Sequence, residues 1–126
     1  MNASKTLLLN VMTQLISLRL YFHHSERARP TRLWHRVSRP SLASQLLRHA
    51  KEAGIEQALL HRVHAGYLKG DRLHHEHIEI AHHRFPHCIE LIDLDAKVRD
   101  FWRTHGKGLD NVRAIFLPCE LPGHGA

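Results

Sequence analysis

The segment PSLASQLLRHAKEAGIEQALLHRV, residues 40–63, contains the change of hydrophobic period that organises the whole chain. Leu42, Ala43, Leu46, Leu47, Ala50 and Ala53 recur at helical spacing behind Pro40, and Gly54 supplies the left-handed residue that commonly ends a helix. Residues 55–63 then read as a strand, blurred by Ala58 and Leu60 as expected where both faces are partly covered. Upstream, Ile16, Leu18, Leu20 and Phe22 alternate with Ser17, Arg19 and Tyr21, which predicts a half-buried strand over residues 15–22. Between the two lies a basic loop, residues 23–39, broken by Pro30 and carrying Arg27, Arg29, Arg32, Arg36 and Arg39 around a lone Trp34. Downstream, HAGYLKGDR, residues 64–72, is turn-rich. Residues 73–81 set Ile78 and Ile80 against His75, His77 and Glu79, and are expected to extend a hairpin from the second strand across the Gly70-Asp71 turn. Residues 87–93 form another strand, with Ile89 and Leu91 on one face and Cys88 and Ile92 on the other. Asp93 or Asp95 caps a second helix whose Val98, Phe101, Trp102 and His105 share one face before Gly106. Val112, Ala114 and Phe116 mark the last strand.

The order strand, helix, strand, strand, helix, strand specifies an α+β fold of the ferredoxin-like split βαβ kind (βαββαβ). In it, right-handed crossovers place both helices on one face of an antiparallel sheet. This domain occupies residues 15–117, between an N-terminal extension, residues 1–14, and a tail, residues 118–126, expected to be loose unless a neighbouring subunit holds it. A length of 126 residues suits one domain. A content of 43% hydrophobic and 24% charged residues excludes wholesale disorder, a collagen and a disulfide scaffold. Cys88 and Cys119 form no CxxC pair, so neither a zinc ribbon nor a disulfide framework is signalled, and a reducing, cytoplasmic setting is expected. Asn10, Thr13, Gln14, Ser17 and Arg19 interrupt residues 7–22, whereas a membrane helix needs about 20 mostly apolar residues, so no membrane insertion is expected. Lys5 with Leu7, Leu8 and Leu9 imitates a weak signal peptide, but no small-residue cleavage site follows. A frayed extension is the preferred reading, with Met12 an alternative start to Met1. Eighteen Lys and Arg against 12 Asp and Glu give a net charge of +6, and 14 histidines add to it on protonation, which favours anionic partners.

Four strings in this order resemble a family, the PII-like signalling superfamily, and within it a branch of small uncharacterised proteins. LRLYFHHSER, residues 18–27, is similar to the opening strand and acidic turn; RPSLASQLLRHAKEAGI, residues 39–55, to the first helix. HRVHAGYLKGDRLHH, residues 61–75, resembles the glycine-aromatic loop, and FPHCIELIDLDAKV, residues 85–98, the third core strand entering the second helix through an Asp. The resemblance implies a homotrimer with small-ligand clefts between subunits, often for adenine nucleotides. It also implies a flexible loop that reports occupancy to a protein target, such as a membrane transporter or channel. The chain departs from the branch at His23-His24, at the longer basic loop, and at His75, Glu76 and His77.

On that basis Glu26, Arg27, Arg39, Gly66, Tyr67 and His74 are the candidate ligand-binding residues. Guanidinium forks grip two anion oxygens at once, Gly66 permits close backbone approach, and Tyr67 offers a ring for base stacking. The bland alternative is a solvated loop with Tyr67 covering the hairpin. A rival reading places a divalent transition metal on His75, His77 and Glu79, which share one strand face. Its alternative is a polar solvated surface, to which His82, His83 and His87 also belong. No catalytic residue is expected: Ser25 beside His23 and His24, or Cys88 beside His87, lacks an orienting third group, and neighbours along a strand face opposite ways. Nucleic acid is not an expected partner, because HCIELID lacks the aromatic platform that stacks bases.

Overall fold

The computed structural model describes residues 4–5, 14–28, 41–75 and 84–122. In chain order they form β1 (Leu15–His23), α1 (Leu42–Glu52), β2 (Gln57–His61), β3 (Ala65–Gly66), β4 (His74–His75), β5 (Pro86–Leu94), α2 (Asp95–His105) and β6 (Arg113–Pro118). The main sheet has the order β2-β5-β1-β6 with every neighbouring pair antiparallel. β1 and β2 are therefore parallel with β5 between them, which is the split βαβ arrangement, and the fold is ferredoxin-like as expected.

Register explains the core. Leu18 lies opposite Leu91 on one side and Phe116 on the other, while Leu20 lies opposite Ile89 and Ala114. Leu42, Leu46 and Ala50 of α1 and Val98 and Phe101 of α2 cover this surface, so both helices occupy one face. Burying one such Leu side chain contributes about 1.5–3 kcal/mol. Ser41 starts α1 by accepting the Ser44 amide on its hydroxyl oxygen at 3.2 Å, and Gly54, at φ 74°, turns the chain out of the helix as the periodicity predicts. Between the helices, the His49 and His105 rings stack with centroids 4.3 Å apart. Burial, and then the neighbouring His49, pull the His105 pKa below its ordinary value.

Three local expectations are corrected. Among the described residues, the hairpin across the Gly70-Asp71 turn is not continuous with β2. β3 and β4 form a separate two-stranded ribbon, Ala65 opposite His75 and Gly66 opposite His74, because β2 ends at His61 against β5. Neither Asp93 nor Asp95 is the N-cap of α2. Leu94 holds that position without a side-chain cap, because Asp93 accepts the Glu56 amide at 2.8 Å and the Leu94 amide at 2.7 Å, while Asp95 is already helical and pairs with Arg99 at 3.0 Å. Finally, β1 is buried beyond its apolar face, since Ser17 is 3% exposed among cross-strand polar partners. At the far edge Pro118 still belongs to β6, and the Cys119 amide bonds the Leu15 carbonyl at 3.0 Å. Most of the basic loop, and residues 76–83, lie outside the described residues.

Candidate ligand-binding site

Strand parity places Ser17, Arg19 and Tyr21 of β1 with Cys88, Glu90 and Ile92 of β5, and Arg113, Ile115 and Leu117 of β6, on the sheet face away from the helices. At one end of this open face is a cleft of about 690 Å³. Tyr21 and His23 line it from β1, Tyr67, Leu68 and Lys69 from the loop behind β3, and residues 110–113 and Ile115 from the entry to β6. The Tyr67 ring is 64% exposed, so it is presented to solvent rather than packed as a hairpin cover. Lys69 and Arg113 bring two permanent positive charges to a wall that Tyr21 and Ile115 make apolar, with Asp110 the acidic residue among them.

The loop is held in place by one carboxylate. Asp71 accepts from Arg84 Nη2 at 2.7 Å and Nε at 3.1 Å on one oxygen, and contacts His23 Nε2 at 2.5 Å with the other. The Asp71 side chain is 1% exposed. Hydrogen bonds from Arg84 first, then from His23, hold its pKa below the ordinary carboxylate value. The Asp71 amide returns to the Leu68 carbonyl at 2.9 Å, with Gly70 between them at φ 86°, so residues 68–71 form a closed turn. His23 thus lines the cleft while fastening the loop beside it.

A second polar constellation lies further along the open face. Glu90, 8% exposed, accepts from Arg19 Nε at 2.9 Å and Ser17 Oγ at 3.2 Å and meets His61 Nε2 at 3.4 Å. Burial pushes the Glu90 carboxyl up, but hydrogen bonds from Arg19, His61 and Ser17 outweigh it and hold the pKa below its ordinary value. Around this charged group stand exposed apolar side chains, Leu59 at 46% and Leu117 at 38%.

Among the described residues, the sequence-predicted ligand residues do not converge in one chain. Gly66 and Tyr67 belong to the ribbon and loop beside the open-face cleft. Arg27 lies on the helix side, bridged to Ser41 and lining another cleft with His24, Ser44 and His87. The turn at the end of β1 causes the separation: the Glu26 carbonyl accepts the Leu42 amide at 3.1 Å and so leads the chain toward α1. Glu26 itself is half-buried. His74 is a packing residue, 1% exposed, its ring 6.3 Å from that of Phe85. Arg39 lies outside the described residues, as do His77 and Glu79 of the expected metal set, while His75 is exposed on β4. Among the described residues no three His, Cys, Asp or Glu side chains are grouped to hold a metal. Cys88 is buried, and burial raises its thiol pKa, which makes it a poor nucleophile.

Lys69, Arg113 and Asp71 were not singled out from sequence. Parity alone puts Arg113 on the face of Ile115 and Leu117, but the approach of the β3 loop to that end needs the tertiary fold. A family model described as "Uncharacterized ACR" matches residues 16–116. No curated protein matches the chain.

Proposed function

The chain belongs to that family of uncharacterised proteins, DUF190, and within it we propose a PII-like regulatory protein that senses a small anionic ligand without catalytic turnover. The observation that carries this reading is the exposed Tyr67 ring beside Lys69 and Arg113, on a loop fastened by Asp71. A planar base stacks on Tyr67, and Lys69 and Arg113 neutralise phosphate, so an adenine nucleotide suits both halves of the cleft. Occupancy then changes how the loop is presented to a protein target, such as a membrane transporter or channel. No helix among the described residues is long and apolar enough to cross a membrane. The free thiols of Cys88 and Cys119 suit the cytoplasm.

The open face, with Leu59 and Leu117 around Glu90, is the surface on which three copies associate in this reading, and the cleft is then completed by a neighbouring subunit. Sedimentation at micromolar concentration is expected to give the trimer mass, and a clean monomer overturns the assembly.

Calorimetry against a panel of adenine nucleotides is expected to give saturable heats, with Arg113→Ala weakening affinity roughly tenfold through the loss of one charge-assisted phosphate contact. No heat with any nucleotide overturns the sensor reading.

A further inference from the structure

A second cleft, of about 380 Å³, opens on the helix side where β1 hands over to α1. His24, Arg27, Ser41, Ser44, Leu60 and His87 line it. Arg27 forms no ion pair among the described residues. His24 Nδ1 and His87 Nε2 stand 3.2 Å apart with their rings edge to face, while His87 Nδ1 is buried without a partner among the described residues. If His24 donated, His87 Nδ1 would carry a buried, unmet N–H. Donation from His87 Nε2 leaves only a bare lone pair there and is the less costly tautomer. Ser41 takes the Ser44 amide at 3.2 Å and gives its own hydroxyl hydrogen to Ser44 Oγ at 2.9 Å, which leaves the Ser44 hydroxyl hydrogen available.

We propose that this cleft is a binding site for a tetrahedral oxyanion, phosphate or a phosphoryl group, gripped by the Arg27 guanidinium with His24 and the Ser44 hydroxyl as further donors and His87 orienting the His24 ring. The guanidinium fork matches two oxygens of such an anion, and protonated imidazoles add both donors and charge. A divalent cation is the poorer occupant, since Arg27 repels it and no third ligand joins the two imidazoles among the described residues. Among the described residues, the charged and titratable groups around the imidazole pair are Glu26, half-buried in the same turn, Arg27, and His61 and Arg62 in the adjoining cleft. The N-cap Ser41 and the residues of α1 that line the site, among them Ser44, carry no charge. Burial, and then His24, lower the His87 pKa below its ordinary value, so Arg27 supplies the permanent charge of the site and a bound anion favours added imidazole charge.

Inorganic phosphate and sulfate, titrated into the full chain and followed by amide and imidazole NMR shifts, test the site. Sulfate keeps its charge between about pH 8 and about pH 6, so its pH trend reports the protein's imidazoles alone. Saturable shifts are expected at His24, Arg27, Ser44 and His87, with sulfate binding roughly tenfold tighter at the lower pH. Arg27→Gln is expected to weaken binding roughly tenfold, and Arg27→Lys less. His24→Gln, a substitution in the turn that leaves the core apolar set untouched, should flatten the pH trend. Arg113→Ala should change nothing here, which separates this site from the open-face cleft. Adenosine monophosphate shifting the same residues would identify a phosphoryl group as the source, and inorganic phosphate acting alone would identify the free anion. Shifts that never saturate, that ignore Arg27→Gln, or that vanish in Arg113→Ala overturn the proposal.

Discussion

Leu18→Ala is expected to remove about 3–5 kcal/mol of unfolding free energy, the range for a fully buried Leu whose cavity cannot collapse. Leu18 is 0% exposed and sits on a central strand, with Leu91 opposite on β5 and Phe116 opposite on β6. Both neighbours are tied into the backbone ladder, so neither can move in to fill the space without breaking register. A domain of this size has about 5–15 kcal/mol in total. The loss therefore lowers the unfolding midpoint by about 10–20 °C. Chemical denaturation of Leu18→Ala beside Leu59→Ala gives the contrast. Leu59 lies on the open face at 46% exposure and should cost less than about 0.5 kcal/mol unless a second copy covers it. A Leu18→Ala cost below about 1 kcal/mol would mean that the register placing Leu18 at the centre of the core is wrong.

The features that sequence reveals here are those with a local period. α1 shows itself through Leu42, Leu46 and Ala50 because a helix that buries one face repeats its apolar residues within a few positions. β1 and β5 show themselves by alternation, and the order of elements then leaves few topologies. The features that stay hidden depend on partners far along the chain. Asp71 reads as an ordinary turn residue beside Gly70, yet its carboxylate is engaged by His23, 48 positions away, and Arg84, 13 positions away. Glu90 interrupts an apolar strand as though it faced solvent, and only the pairing of Arg19 with Glu90 across the ladder shows why it is buried. Asp93 and Asp95 both satisfy the composition rule for a helix cap, and the choice of Leu94 follows from Asp93 being needed at Glu56. Arg27 and Tyr67 are both legible as ligand-type residues. Their placement on opposite sides of the sheet is not, because it turns on where the chain goes after His23.

Asp71→Asn is expected to release the loop and weaken nucleotide binding about 10–100-fold, although Asp71 is not among the residues that line the cleft. The amide is nearly isosteric with the carboxylate but neutral, and its NH2 group has no useful contact with the Arg84 guanidinium, so the two Arg84 bonds and the His23 contact lose their charge together. The loop then samples open states, and apparent affinity falls in proportion to the fraction that still presents Tyr67 and Lys69 correctly. Hydrogen exchange should show the amide of residue 71, bonded to the Leu68 carbonyl, losing protection while amides of β1 and β5 keep theirs. Adding Arg84→Gln to Asp71→Asn should cost little more than Asp71→Asn alone, because the two act through one contact. The pH dependence has a definite sign. Arg84, then His23, depress the carboxyl pKa from 3.8, so the latch is fully present above that value and is lost only as pH falls through the lower folded-state value. Mild acidification that protonates imidazoles therefore leaves the Asp71 carboxylate charged. Unchanged protection at residue 71 together with unchanged nucleotide affinity in Asp71→Asn would show that the loop is held by something other than this carboxylate.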